Sequence, residues 1–372
     1  MANTNTTTEV VPQLLAQGLL ALRQMAVMPR YVNRAYEATA GEKGSSIDVP
    51  IPSAITAQVV SPSNTAPDDA GFVPTSVNLP LSQWYEAPFF LSDKDMLEVQ
   101  SGTIPMQATE AVKALANNVD SAILALYKKV YGYAGVAGTT PFSADLSEFL
   151  DARKTLNNQL APSDPRFVAI DPDAEANALG LRAFQDAAFR GDRDGILNGQ
   201  IGFKLGSTWF MDQNVPTHTV GTMSVPGTAA VTINTTALVI STATGSYVAG
   251  DILTFAGDTQ TYTVISATGT APTTAAVISP AAKVTHTTSA IARKGSHTAN
   301  LAFHRDAFAF ASRPFAGADP MGLGIFQSAV DPVSGLTLRL EVSRQHKRTR
   351  FAYDILYGVQ AVRPELAARI AG

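Results

Sequence analysis

One stretch sets the scale of the fold. Residues 103 to 132 read TIPMQATEAVKALANNVDSAILALYKKVYG. Val112, Leu115, Val119, Ile123, Leu126 and Val130 recur at gaps of three or four residues, which puts all six on one face of a helix. Ala108, Ala111, Ala114, Ala116, Ala122 and Ala125 favour helix and let neighbouring backbones approach. Glu110 near the start and Lys128 and Lys129 near the end suit the helix dipole. Gly132 and Gly135 are the expected stop signals. At ~1.5 Å per residue such a helix runs roughly 40 Å. The pattern predicts a strut across the subunit rather than an element of a small domain.

The rest of the chain must be built around that strut. Its 372 residues suggest two or three domains. Charged residues make up only 16%, against about 25% in ordinary soluble domains. Low charge fits a protein that buries outer surface against copies of itself. A net charge of −4 gives no field that would draw nucleic acid or an anionic membrane. The absence of cysteine excludes disulfides, thiolate metal sites and a cysteine nucleophile. No apolar run approaches the ~18 residues of a membrane-spanning helix. MANTNTTTEVVPQ lacks the basic start of a signal peptide, so cytoplasmic synthesis is expected.

Residues 1 to 10 are polar and Thr-rich. Leu15, Leu19, Leu22 and Met25 or Ala26 form a helical stripe that Pro29 ends, docked on its own fold or on a neighbour. Residues 45 to 91 predict an extended hairpin. Ile47, Val49 and Ile51 alternate in one long strand, and Val77, Leu79 and Leu81 in the other; SPSNTAPDDAG forms the tip. Pro50, Pro52, Pro80 and Pro88 keep both strands from the centre of a sheet. The hairpin is a surface flap or an arm over a neighbouring subunit. Asp93, Lys94 and Asp95 mark a turn or helix start. A second amphipathic helix carries Leu146, Phe149, Leu150, Ala152 or Arg153, Leu156 and Leu160, and stops at Pro162. RFVAIDP is a short buried strand, DPDAEANALGLRAFQDAAFRG a third helix closed by Gly191, and IGFKLGSTWFMDQNVP a strand or hairpin.

Composition then shifts. From Thr219 to Ala292 the only Asp, Glu, Lys or Arg residues are Asp251, Asp258 and Lys283. Thr, Ala and Val dominate with period two, and Gly245, Gly250, Gly257 and Gly269 punctuate the runs. This predicts a small all-β module, a barrel or sandwich. The earlier composition returns at Leu301, so the module interrupts another domain whose flanks lie close in space.

Motifs that carry chemistry are sparse. His218, His286, His297, His304 and His346 lack the spacing of a zinc site. GDRDG at 191 to 195 fails the calcium-loop register, because Ile201 falls where a carboxylate ligand is required. Asp192 and Asp194 therefore read as a turn, and Asp171 and Asp173 as a turn and helix cap. No nucleophile elbow or phosphate loop occurs, and Gly132, Gly135 and Gly138 form a loop after a helix, the wrong side for phosphate. No catalytic, cofactor-binding or metal-binding residue is assigned. The densest charge is RLEVSRQHKRTR, 339 to 350. There Arg339, Arg344, Lys347, Arg348 and Arg350 outnumber Glu341, and the stripe suits either ion pairing between subunits or nucleic-acid phosphates. From the residues alone, a structural protein, a ligand- or glycan-binding surface protein and a hydrolase using Asp171 or Asp192 all stay open.

Three motifs narrow the choice. AYDILYGVQAVRPELAARIAG, with Tyr357, Gly358, Val359, Ala361, Arg363, Pro364 and Glu365, resembles the ending of major capsid (coat) proteins of tailed bacteriophages of the short-tailed Salmonella-phage type. LANNVD, 115 to 120, is similar to a run in the long spine helix of that family. NLAFHRDAFAFAS, 300 to 312, resembles the strand entered just after the family's inserted domain. The resemblance implies an α+β fold shared by tailed-phage and herpesvirus major capsid proteins, with an inserted all-β domain. Its expected divisions are an N-terminal arm (1–35), an extended loop (36–92), and a peripheral domain with the spine helix (93–145). An axial domain (146–217), the inserted domain (218–297), and the rest of the axial domain with the C-terminal peripheral strands (298–372) follow. It also implies a non-enzymatic shell protein of the virion, made in the host cytoplasm. Its partners would be itself in pentameric and hexameric capsomers, a scaffolding protein, a portal protein and packaged DNA by non-specific proximity, with no membrane and no cofactor.

Overall fold

The computed structural model describes residues 14–16, 18–19, 22, 26–36, 46–52, 57, 59, 62, 75–94, 103–185, 201–269, 273–314, 324–331 and 334–372. The Thr-rich start at 1–10, Met25, most of the hairpin tip at 61–71, Asp95, Gly191 and the turn with Asp192 and Asp194 lie outside the described residues.

Leu14, Leu15 and Leu22 are helical and buried in the main core, and Leu19 packs against it. The Tyr353 hydroxyl donates to the Leu14 carbonyl at 3.0 Å. Of the two expected docking places, this chain uses its own fold. Pro29, the expected stop, sits in a 3-10 turn over Met28–Arg30.

Strand β1 (Ser46–Ile51) pairs antiparallel with β2 (Thr75–Pro80), Ile47 opposite Leu79 and Val49 opposite Val77. The second long strand expected here is broken. The chain leaves the ladder at Leu81, and β3 (Gln83–Ser92) joins a different sheet. The cause is burial: Leu81 closes a small cluster with Ile47, Val49, Leu79, Ala309, Ala311 and Val362, which turns the β1–β2 ribbon across the frame.

Helix α1 (Thr103–Leu124) is the strut. It tightens into a 3-10 turn over Ala125–Lys129, and the Val130 N–H closes on the Tyr127 carbonyl at 2.9 Å. The α-helix is thus shorter than expected, about 33 Å at ~1.5 Å per residue. The glycines expected to stop it instead begin and end β4 (Gly132–Gly135), so Gly132 and Gly135 lie in a strand and not in a loop. All six stripe residues are nevertheless buried, with Val112, Val119 and Val130 fully inaccessible. Each such valine contributes roughly 1.5–3 kcal/mol of burial.

Helix α2 (Ser147–Asn158) buries Phe149, Ala152 and Leu156. Leu150 and Leu160, expected on the same stripe, are 50% and 88% exposed. Leu160 lies past the helix end with φ 58, a left-handed turn that places it off the buried face. Strand β5 (Arg166–Ile170) is buried, as its sequence predicts. The third helix is two pieces, α3 (Pro172–Gly180) and α4 (Arg182–Gln185), because Leu181 is extended. Strands β6 (Gly202–Lys204) and β7 (Ser207–Met211) form the expected hairpin, followed by β8 (Thr217–His218).

The charge-poor region closes into a six-stranded barrel. Its strands are β9 (Thr228–Val231), β10 (Ala237–Ser241), β11 (Ile252–Phe255), β12 (Thr261–Thr268), β13 (Thr274–Ser279) and β14 (His286–Arg293). Around the barrel they run β10-β13-β12-β11-β14-β9. Period-two alternation turns Leu238 and Ile240 inward, beside Leu253, Phe255, Tyr262, Val264 and Ile278, in a core separate from that of the frame.

Strands β15 (His297–His304), β16 (Phe308–Ser312), β17 (Gly324–Val330), β18 (Thr337–Gln345), β19 (Arg348–Ala361) and β20 (Ala367–Ala371) complete the chain. A seven-stranded sheet runs β4-β20-β15-β5-β7-β6, with β8 also on β15; a five-stranded sheet runs β16-β19-β18-β17, with β3 on β19. One continuous hydrophobic core joins α1 to both sheets. The chain enters the barrel from β8 and leaves it into β15, and these strands pair, His218 opposite His297. The ribbon crosses β19 at Gly358, where a Cβ would lie 2.4 Å from the Pro80 carbonyl oxygen. The glycine of the Tyr357–Gly358 pair is required by that close approach.

Candidate functional site

Where the barrel meets the frame, three distant parts of the chain build a sealed polar joint. Its hub is Arg369 of β20, which has no solvent exposure. Its Nε donates to the Val130 carbonyl at 2.9 Å, Nη1 to the Gly250 carbonyl at 2.7 Å and Nη2 to Thr263 Oγ1 at 3.0 Å. Its guanidinium also lies 5.0 Å from the centre of the Tyr127 ring. Thr263 passes its own proton on to the Lys128 carbonyl at 3.0 Å, and the Thr261 hydroxyl donates to the Tyr131 carbonyl at 2.6 Å. One cation thus ties the end of the strut, the last strand and the barrel together.

Asp251, also fully buried, attracts this cation without contacting it. Asp251 accepts from the Val248 N–H at 3.1 Å and from His218 Nε2 at 3.0 Å. With that proton on Nε2, His218 Nδ1 accepts the Tyr127 hydroxyl at 3.0 Å. Burial pulls the Arg369 guanidinium down to about 9, opposed by Tyr127, Tyr133 and Asp251, so it remains a cation at neutral pH. His297, stacked edge-on against Tyr133, donates Nδ1–H to the Gly295 carbonyl at 2.8 Å. Burial depresses it to about 4 and keeps it neutral. Gly250 is held by packing as well as by its positive φ, since a Cβ there would stand 3.0 Å from His218. Tyr127, His218 and Asp251 resemble a proton relay, but all three are buried, and the relay ends in backbone rather than at an exposed nucleophile. The arrangement holds two parts together and offers no place for a substrate.

Within the chain, most of the basic stripe at 339 to 350 is engaged by its own neighbours. Arg339 makes a bidentate pair with Asp354. Arg344 reaches Asp93 at 2.6 Å, and Arg350 pairs with Glu86 and Glu341. Arg348 donates to Gln345 at 2.7 Å and lies 4.5 Å from the centre of the Phe90 ring. These contacts fasten β3, β18 and β19 to one another within one chain.

Among the described residues, the remaining sequence candidates do not converge. Asp171 stands at the head of α3 without a capping side-chain bond, and its backbone N–H donates to Asn300 Oδ1 at 2.7 Å. His286 meets Ser289 Oγ at 2.8 Å inside the barrel, His304 accepts the Asp306 N–H at 3.2 Å, and His346 is exposed in the β18–β19 turn. Among the described residues, no three His, Cys, Asp or Glu side chains gather to hold a metal, and no helix is long and apolar enough to cross a membrane. The LANNVD run has clear local work instead. Asn118 accepts the Tyr357 hydroxyl at 2.6 Å, and Asp120 accepts the N–H groups of Val27 and Met28 at 3.0 and 3.1 Å. Sequence reasoning passed over Arg369, Asp251 and Asp120. The available signal was a lone charge in an uncharged or apolar run, such as Asp251 in the module and Arg369 in ELAARIAG.

No protein-family model matches the sequence, and no curated protein matches it. Solved structures do. A chain of Mycobacterium phage Che8 superposes with a TM-score of 0.54 at 16% identity, covering 92% of this chain and 90% of that one. A chain from the capsid structure of Cyanophage P-SCSP1u gives 0.50 at 13% identity, covering 88% and 83%. At such identities the likeness is one of fold alone: the α+β architecture is similar to that of the Che8 chain and of the cyanophage capsid chain.

Proposed function

We propose that this chain is the major capsid protein of a tailed bacteriophage and assembles into an icosahedral head around double-stranded DNA. The observation that carries this reading is the fold likeness over about nine-tenths of both this chain and the Che8 chain. Motif order adds to it: the LANNVD run, the strand after the barrel and the Tyr357 to Glu365 ending follow the order of short-tailed Salmonella-phage coat proteins. We read residues 218–297 as the inserted domain of that type. A self-contained barrel core and the paired strands at its base support this. The role is structural and not enzymatic. The partners are further copies in capsomers, a scaffolding protein, a portal protein and DNA held by proximity. The internally paired stripe at 339–350 favours DNA contact without a dedicated phosphate site.

Negative-stain microscopy of the purified protein, with and without a scaffolding partner, tests the proposal. Shells or rings of capsomer size are expected. A persistent monomer under every condition, scaffold included, overturns it. Replacing 219–296 by a short linker tests the inserted domain: lower soluble yield or assembly is expected, and normal assembly removes a folding or capsomer role for the barrel.

A further inference from the structure

A cleft opens at the edge of the seven-stranded sheet, where β7 outruns its neighbour. Strand β6 pairs with β7 only from Gly202, opposite Trp209, to Lys204, opposite Ser207. The chain enters that ladder through a left-handed Gly202, φ 71, where a Cβ would meet no atom within 4 Å. Phe210 and Met211 therefore have no strand on their outer side among the described residues. The cleft left there encloses about 330 Å³, within the roughly 300–1,000 Å³ of small-molecule sites.

Its lining is apolar with one charge. Tyr31 stacks on Phe210, ring centres 4.2 Å apart and planes at 16°. Trp209 forms a further part of the wall and is braced from behind by Phe142, Phe149 and Phe184. Met211 adds a thioether, and Glu175 of α3 is the one charged side chain. Among the described residues, no hydrogen bond or ion pair reaches the Glu175 carboxylate, and no Lys, Arg or His lines the cleft. Burial raises this carboxyl above its ordinary range, and no cation opposes the rise. A half-buried carboxylate without a partner, set at an aromatic wall, is complementary to a cation that carries an apolar body. A hydrated metal ion is poorly served, because one carboxylate falls short of the about six oxygens it needs.

We propose that this cleft binds an alkylammonium ion, with its charge on Glu175 and its methylene chain against Tyr31, Phe210 and Met211. The ion is carried either by a free amine or by a lysine side chain of a polypeptide, and the recognition chemistry is the same for both. The site lies within one chain, so it stands or falls independently of whether the chain builds a capsid.

The test titrates n-butylammonium chloride, at constant ionic strength, into the full chain carrying Trp84→Phe. The protein has two tryptophans, so emission and the indole N–H resonance then report on Trp209 alone. A saturable change in either signal is expected, and n-butanol, which has the chain without the charge, should bind at least ~10-fold more weakly. Glu175→Gln should weaken n-butylammonium binding by at least ~10-fold through loss of a charge-assisted contact. It should not lower the melting temperature, since the carboxylate has no partner to lose. Phe210→Leu should weaken binding several-fold by removing a ring. Tighter binding of Nα-acetyl-lysine methylamide than of cadaverine assigns the site to a polypeptide lysine, and the reverse order to a free amine. No saturable change up to roughly 100 mM n-butylammonium overturns the proposal. So does equal binding of n-butanol, which would make the cleft merely apolar, and so does undiminished binding by Glu175→Gln.

Discussion

The barrel and the β1–β2 ribbon are both appendages of one frame, and they are fastened in opposite ways. The barrel has its own core and joins the frame through Arg369, Asp251, His218 and Tyr127, all sealed from water. The ribbon shares a small apolar cluster with β16 and Val362, crosses β19 at Gly358, and continues into β3, whose flanking ion pairs are largely open to solvent. A barrel already folded around its own apolar residues has little left with which to bind the frame, so directional charges orient it. A two-stranded ribbon has no core of its own and must lend its apolar face to the frame in order to exist. Charge in the joint is costly to disturb, because removing one partner strands the other in a dry interior. Charge along β3 is cheap to disturb, because water replaces the lost partner.

Substitutions at the two junctions can break this contrast. The largest effect is expected for Arg369→Ala, about 3–5 kcal/mol from denaturant midpoints, since the buried Val130 and Gly250 carbonyls would lose their charged donor and Asp251 an attracting cation. A loss below ~1 kcal/mol would show that the joint is not what orients the barrel. Acid should attack the same place. His297 is depressed to about 4 in the folded chain, so the unfolded chain binds the extra proton first. Stability from this group is complete above about pH 6.5 and falls by up to ~3 kcal/mol as pH drops towards 4. His297→Gln should flatten that part of the pH profile. Burial raises the Asp120 carboxyl to about 8 in the folded chain, so its contribution runs in the opposite sense, lost as pH rises from about 4 towards 8, and Asp120→Asn should flatten that part of the profile. At the ribbon, Gly358→Ala drives a methyl group into the Pro80 carbonyl and should cost about 1–3 kcal/mol, with protease sensitivity of residues 46–80 rising first. The smallest effect is expected for Arg344→Ala, within about 0.5 kcal/mol by thermal melting, because both partners are exposed. A large loss there would mean that the ion pairs, and not apolar packing, hold β3.

The sequence was most readable where one period ran unbroken. The apolar stripe of α1 predicted its buried face residue by residue, even though the α-helix ends at Leu124 and the last two stripe residues reach the core from a 3-10 turn and extended backbone. The β-module was readable for the same reason, as alternation in a charge-poor run. Reading failed at breaks that local pattern does not encode. The long strand splits at Leu81 because a distant cluster claims that side chain, and Leu160 faces solvent because a left-handed turn ends α2. The candidate sites were least readable of all. Tyr127 and His218 are 91 residues apart, His218 and Asp251 are 33 apart, and Arg369 and Gly250 are 119 apart.

Periodicity and composition were enough to give this chain a stiff amphipathic helix, a proline-restrained ribbon and an uncharged β-module, because burial of alternate or every third to fourth residue is a local rule. Which strands neighbour one another, which lone charges meet, and why Gly358 must be glycine emerged only in three dimensions. Those features depend on backbone approaches of a few ångströms between segments far apart in the chain, and no local period records them.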